Sequence, residues 1–154
     1  MTQDTVSDEK RRLREDAKTR RAAAHAAADA LTARQLAAHG LDFLKLAPAA
    51  VVSGFMPMAD EIDVLPLLTW LHAEGTTLCL PVMQGKGKPL LFRAWSPGDD
   101  METAIWGIRE PMADKPVVEP DVLLVPLLAF DAHGWRLGYG GGFYDRSIAS
   151  LSRF

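Results

Sequence analysis

The sequence has a single cysteine, Cys79, among 154 residues. One thiol cannot close an internal disulfide, which suits a reducing compartment, so the expected location is the cytoplasm. Cys79 stands between Leu78 and Leu80 in a strand-like run, the setting of a small buried hydrophobe rather than a nucleophile. The four histidines (His25, His39, His72, His133) are scattered, with no two at ligand spacing, and no zinc site is expected. No apolar run approaches membrane-spanning length, and the polar N-terminus lacks the hydrophobic core of a signal peptide, so no membrane partner is expected. Positive charge is not in excess either: the net charge of −3 argues against a nucleic-acid partner held by phosphate neutralisation. No internal repeat, low-complexity linker or domain boundary interrupts the chain. Length and a 48% hydrophobic content predict one domain with a real core, a monomer by default.

What is present concentrates in Arg136-Leu-Gly-Tyr-Gly-Gly-Gly-Phe-Tyr-Asp-Arg146. Gly138, Gly140, Gly141 and Gly142 fall within five residues, after the apolar run 122–126 and before a segment, 143–151, able to become helical. Glycine permits positive φ and a close approach of backbone to ligand. A glycine loop feeding a helix N-terminus turns free N–H groups toward an anion. Arg136 and Arg146 flank the loop and can add charge to phosphate contacts, while Asp145 can face a metal. Tyr139, Phe143 and Tyr144 offer flat surfaces to a ring. A flexible surface turn is the weaker reading. The loop is not a Walker A motif, because Phe143 stands where Lys-Ser/Thr would follow, and it lacks the third glycine of the dinucleotide fingerprint. Phosphate binding by another device is the expectation.

The remainder reads as a helical N-terminal part followed by an α/β rhythm. Ser7 is expected to cap a helix whose first turn carries Asp8 and Glu9, with Leu13, Ala17, Ala24, Ala28 and Leu31 on its packing face and His39-Gly40 a stop between two helices. A basic run (Lys10, Arg11, Arg12, Arg14, Lys18, Arg20, Arg21) is by default a solvated face; alternatively Lys10 and Arg14, one turn apart, reach an anion together. Strands are expected over 51–56, 76–82, 90–95 and 121–126, the third a hairpin partner of the second, and a helix over 64–72. Alternating strands and helices predict a mainly parallel sheet covered on both faces, with ligands at the strands' carboxyl ends. Asp60-Glu61 after the first strand and the glycine loop after the fourth are therefore expected to meet. Glu61 reads equally as a surface acid or as a hydrogen-bond partner for a polar ring. Asp131 reads as a turn former or a site residue. Glu110 reads as a site acid or a partner for Arg109, with the structural role preferred.

These residues resemble the 5-formyltetrahydrofolate cyclo-ligase (5,10-methenyltetrahydrofolate synthetase) family over nearly the whole chain. The resemblance rests on Lys10-x-x-x-Arg14, Gly54-Phe-Met-Pro-Met-Ala-Asp-Glu-Ile-Asp63, Leu80-Pro81, Trp106-Gly-Ile-Arg-Glu-Pro111, Val125-Pro-Leu-Leu-Ala-Phe-Asp131 and the glycine block. It implies a three-layer α/β/α sandwich of the NagB/RpiA/CoA-transferase type. It also implies ATP- and Mg²⁺-dependent cyclisation of 5-formyltetrahydrofolate to 5,10-methenyltetrahydrofolate, with release of ADP and phosphate. By position, the ATP-binding residues would be Lys10, Arg11, Arg12, Leu13 and Arg14 of the first helix, then Arg136, Leu137, Gly138, Tyr139, Gly140, Gly141, Gly142, Phe143 and Tyr144. Met56, Glu61, Tyr139, Gly140, Gly141, Gly142 and Phe143 would line the folate site, and Asp145 would bind Mg²⁺. Activation by phosphoryl transfer needs no protein nucleophile, in keeping with the lack of a Ser-His or Cys-His constellation. The family ordinarily continues past this point with a last strand and a second acidic metal ligand, so residues 1–154 are expected to be one cyclo-ligase domain incomplete at its C-terminus. The alternatives are a non-catalytic nucleotide- or folate-binding module and, on fold analogy alone, an isomerase or CoA-transferase.

Overall fold

The structure, a computed structural model, describes residues 2–152. The first helix, α1 (Gln3–His39), is rich in alanine, the residue that loses least on entering a helix. It starts earlier than expected. The Thr2 side chain accepts from the Thr5 amide at 3.3 Å, so Thr2 is the cap, Asp4 lies in the first turn, and Ser7 is inside the helix. The packing face differs in part: Ala17 is buried as expected, but Leu13 and Leu31 are 43% and 51% exposed, and Ala33 is the other buried position. Non-helical backbone at Ala28 (φ −153°, ψ 24°) kinks α1, turning different faces inward on its two sides. The helix stops where expected: Gly40, at φ +63°, donates its N–H to the Leu36 carbonyl at 3.0 Å. Only a short 3₁₀ turn, Asp42–Leu44, follows.

Four strands form the main sheet: β1 (Val51–Ser53), β2 (Thr77–Val82), β3 (Leu91–Ala94) and, two hairpin strands later in the chain, β6 (Val122–Leu123). Their order is β3-β2-β1-β6. As expected, β1 runs parallel to β2 and β6, and β3 is the antiparallel hairpin partner of β2. The register sets Val52 beside Leu78 and Val122, and Ser53 beside Cys79 and Leu123. Between β1 and β2 the chain crosses through α2 (Leu65–Ala73), which starts with proline in its first turn and buries Leu67, Leu68 and Leu71. These leucines join Val52, Phe55, Leu78, Leu80 and Trp95 in the core, with Leu36 and Ala37 of α1 packed against it. Gly54, just past β1, is tightly surrounded: a Cβ there would lie 2.5 Å from Leu68 Cδ1.

Two hairpins were not foreseen. β4 (Met101–Thr103) pairs with β5 (Arg109–Pro111), and β7 (Ala129–Phe130) with β8 (Arg136–Leu137). The glycine loop therefore leaves the β7–β8 hairpin rather than β6 itself. Asp131 makes that hairpin's turn, its Oδ1 accepting from the amides of His133 (2.9 Å) and Trp135 (3.0 Å). Glu110 is structural, but its partner is the Met83 amide at 2.8 Å rather than Arg109. Helix α3 (Phe143–Leu151) closes the described chain, and no helix among the described residues is long and apolar enough to cross a membrane.

Candidate functional site

Parallel pairing of β1 with β6 sends both chains out at one end of the sheet, and the loops that follow them meet there. Tyr139 in the glycine loop donates its hydroxyl to Glu61 Oε2 at 3.0 Å. The other oxygen of Glu61 accepts from the Met58 amide at 2.8 Å. Glu61 is 8% exposed, and burial pushes its carboxyl above the usual range despite these two donors. It is thus a held acid in a partly dry setting rather than a surface acid. Each carboxylate oxygen retains a lone pair for a further N–H.

On the other side of the glycine loop lies α1. Arg14 Nε donates to the Gly138 carbonyl at 2.9 Å. Its guanidinium lies over Gly140, where a Cβ would meet Arg14 Cζ at 3.6 Å and its two Nη atoms at 3.7 and 3.8 Å. A further turn and more along the same face, Arg21 donates to Asp60 Oδ1 through Nε (3.0 Å) and Nη2 (2.6 Å). Its Nη1 donates to the Leu127 carbonyl at 3.1 Å and to the Tyr139 hydroxyl. Burial disfavours the Arg21 charge, but Tyr139 and Asp60 outweigh it and the guanidinium is held above its ordinary value. The same bond holds Asp60 below its ordinary value. Burial raises the Tyr139 phenol.

The glycine loop delivers α3 with Gly142 as its N-cap at φ +72°, a conformation that favours glycine, and no side chain caps the helix. The first-turn N–H groups of α3 accordingly receive no side-chain cap at the positive end of its dipole. Arg136 Nη2 lies 3.3 Å from Asp145 Oδ1, and the Asp145 side chain is 83% exposed at the rim. Arg146 makes contacts within the protein. It lies over the Phe143 ring at 5.0 Å, donates to the Lys88 carbonyl at 3.3 Å, and supports the loop beneath Gly142. Ser147 ties α3 to the sheet, accepting from the Leu90 amide at 2.8 Å. The Tyr144 hydroxyl is pushed up, first by burial and then by the neighbouring charge of Glu61. The Cys79 thiol, fully buried, is pushed up to about 12 and is chemically quiet.

The expected residues divide accordingly. Arg14, Gly138, Tyr139, Gly140 and Glu61 form one constellation, with Arg136 and Asp145 at its rim. Lys10 is exposed on the face of Arg14, one turn outward, and among the described residues it has no hydrogen-bond or ion-pair partner. Arg11 pairs with Asp8, and Arg12 and Leu13 face solvent. Leu137 is the β8 partner of Ala129, Phe143 is covered by Arg146, and Gly141 lies against Phe143. Met56 is half-buried against the core, in the same loop as Glu61. Arg21 and Asp60 were missed as a pair. The available signal was spacing: Arg14, Ala17 and Arg21 recur at three and four residues, so Arg21 shares the inward face and not the solvated one. Beside Glu61 opens a cleft of about 850 Å³ between α1 and residues 123–130, with Arg21, Asp60 and Glu61 on its polar wall and Leu36, Phe55 and Leu128 among its apolar ones. Among the described residues no three His, Cys, Asp or Glu side chains converge to hold a metal.

The family model described as the 5-formyltetrahydrofolate cyclo-ligase family matches residues 6–154. A 5-formyltetrahydrofolate cyclo-ligase of Escherichia coli (strain K12) is 34% identical over 126 residues, 79% of this chain and 69% of that protein. That of Mycolicibacterium smegmatis is 37% identical over 105 residues, 63% of this chain and 54% of that protein. Among solved structures, the fold is similar to a 5,10-methenyltetrahydrofolate synthetase from Mycoplasma pneumoniae, with a TM-score of 0.65 and 22% identity over 94% of this chain and 79% of that one. It is also similar to the Aquifex aeolicus synthetase, with a TM-score of 0.64 and 28% identity over 91% and 72%.

Proposed function

Because the chain belongs to the 5-formyltetrahydrofolate cyclo-ligase family, we propose that it joins N10 of 5-formyltetrahydrofolate to the formyl carbon at the expense of ATP. The observation that carries this reading is the position of the glycine loop, held by Arg14 on one side and hydrogen-bonded to buried Glu61 on the other. One loop then faces a phosphate chain and a polar ring together. The three-layer α/β/α arrangement of the NagB/RpiA/CoA-transferase type is proposed with it, supported by the parallel run of β2, β1 and β6 in the sheet and by α1 and α2 on the core.

In this proposal the γ-phosphoryl group of ATP passes to the formyl oxygen, leaving ADP. The oxygen, a poor leaving group in a formamide, then departs as phosphate when N10 attacks the carbon and loses its proton. The product is 5,10-methenyltetrahydrofolate. The protein contributes alignment and charge. Lys10, Arg14 and Arg136 offset phosphate charge, and the α3 N-terminus adds backbone N–H groups where that charge shifts. Glu61 accepts from the ring's N–H groups and fixes its orientation, with Met56 as an apolar neighbour. Asp145 is the residue suited to Mg²⁺: exposed, hard and beside the loop, it supplies one carboxylate to an ion that ordinarily completes its shell with waters and substrate phosphates. When bound, Mg²⁺ would neutralise phosphate charge.

The test is the appearance of methenyltetrahydrofolate absorbance on mixing the chain with 5-formyltetrahydrofolate, ATP and Mg²⁺, beside Asp145→Ala. We expect an increase that requires ATP and falls by at least about tenfold in the variant. A folded chain that binds ATP but produces no methenyl absorbance would favour a binding module instead.

A further inference from the structure

We infer that Arg21 is a positioning residue for the folate half of the site, which acts by holding the Tyr139 hydroxyl against Glu61. This inference rests on the function proposed above and concerns a residue outside the expected ligand set. The guanidinium is a junction of three segments. It grips Asp60, next to Glu61, through two nitrogens, and it reaches the Leu127 carbonyl and the Tyr139 hydroxyl with a third. Its Cζ also lies 5.4 Å from the Tyr139 ring centroid, so the ring and its hydroxyl are both restrained. With its oxygen already accepting from Arg21, Tyr139 has its single proton free for Glu61 Oε2, and the hydrogen bond is oriented one way. The guanidinium is planar and has five donors, whereas lysine could satisfy only part of this geometry.

The division of labour with Arg14 makes the inference specific. Arg14 holds the glycine loop by its backbone, at the Gly138 carbonyl. Arg21 holds the tyrosine side chain of the same loop and the acid-bearing loop after β1. Loss of Arg21 is therefore expected to disturb the folate side and to leave the phosphate side in place.

The experiment compares wild type, Arg21→Lys, Tyr139→Phe and the double variant by equilibrium binding of 5-formyltetrahydrofolate without ATP and by KM for each substrate. Each single change is expected to weaken the folate on the order of tenfold, and the double variant no more than the worse single, because both break one chain of contacts. KM for ATP should stay within about twofold, since Arg14 is untouched. A merely structural role would raise both KM values together. Equal shifts, additive losses, or unimpaired folate binding by Arg21→Lys would each overturn the inference. If wild type itself binds no 5-formyltetrahydrofolate, the proposed substrate is wrong. Amide exchange then decides whether the latch exists: the Met58 N–H, held by Glu61, should lose protection in Arg21→Lys while β2 amides keep theirs, and unchanged protection at Met58 would overturn the latch as well.

Discussion

At the scale of the residue, Glu61 illustrates how burial turns a common side chain into a selective one. An exposed carboxylate gains little from a ligand N–H because water competes for the same lone pairs. Glu61 is nearly enclosed, is held by the Met58 amide and the Tyr139 hydroxyl, and carries a carboxyl shifted upward by that burial. Replacing it with glutamine removes the charge but keeps the shape. The amide oxygen can still accept from Met58, and the cost of burying a charge disappears, so stability near neutral pH should hold or rise slightly. Affinity for the folate should nonetheless fall on the order of 10- to 100-fold, the range associated with losing a charge-assisted hydrogen bond. Isothermal titration with 5-formyltetrahydrofolate, run beside a thermal melt, checks both halves. A Glu61→Gln protein that melts normally and binds normally would remove Glu61 from the ligand set.

At the scale of the element, the close approach of α2 to β1 places the Glu61 loop. The chain leaves β1 at Gly54, where an added methyl group would meet Leu68 Cδ1 at 2.5 Å and Cδ2 at 2.8 Å. Leu68 is fully buried, so it has no solvent to move into. Gly54→Ala should therefore destabilise the fold by about 1–3 kcal/mol, the usual cost of overpacking a dense core, as measured by urea unfolding. An unchanged midpoint would mean that α2 shifts freely on the sheet. Such elements were legible in the sequence to different degrees. Residues 77–82 carry a short apolar run and residues 65–73 an amphipathic pattern that ends near Gly75, so their type was clear, and the hairpin of β2 with β3 followed from the turn at 84–89. Two-residue strands such as β7 and β8 have no period to read, and their turn signal, Asp131 to Gly134, looked as much like a site as a turn. The glycine loop was legible because its composition is unusual. Arg21 was not, since a run of seven basic residues does not reveal which one points inward without knowing what packs on the helix.

At the scale of the whole molecule, α1 joins core and site. Beyond the Ala28 kink its Leu36 and Ala37 pack on the core, while Arg14 and Arg21, before the kink, hold the two loops at the sheet's carboxyl end. The second group includes the ion pair of Arg21 with Asp60, next to buried Glu61, so the protein's stability should depend on pH through Asp60 and Glu61, in opposite directions. The Asp60 carboxyl lies below its ordinary 3.8, first because Arg21 hydrogen-bonds its ionised form. The unfolded chain therefore takes up that proton first as pH falls, and the stabilisation is complete above 3.8 and lost as pH falls through the folded value. Glu61 is raised above its ordinary 4.5, chiefly by burial. Its ionised form costs stability above the folded value, and that cost is relieved as pH falls toward 4.5. Melting wild type, Asp60→Asn and Glu61→Gln from neutral pH to about pH 3 separates the two effects. The advantage of wild type over Asp60→Asn should hold steady on the neutral side and narrow once pH drops below 3.8. Relative to Glu61→Gln, wild type should gain as pH falls toward 4.5. If the Asp60 advantage narrows instead as pH rises from 5 to 7, the Arg21 junction is not the contact that ties α1 to the β1 loop.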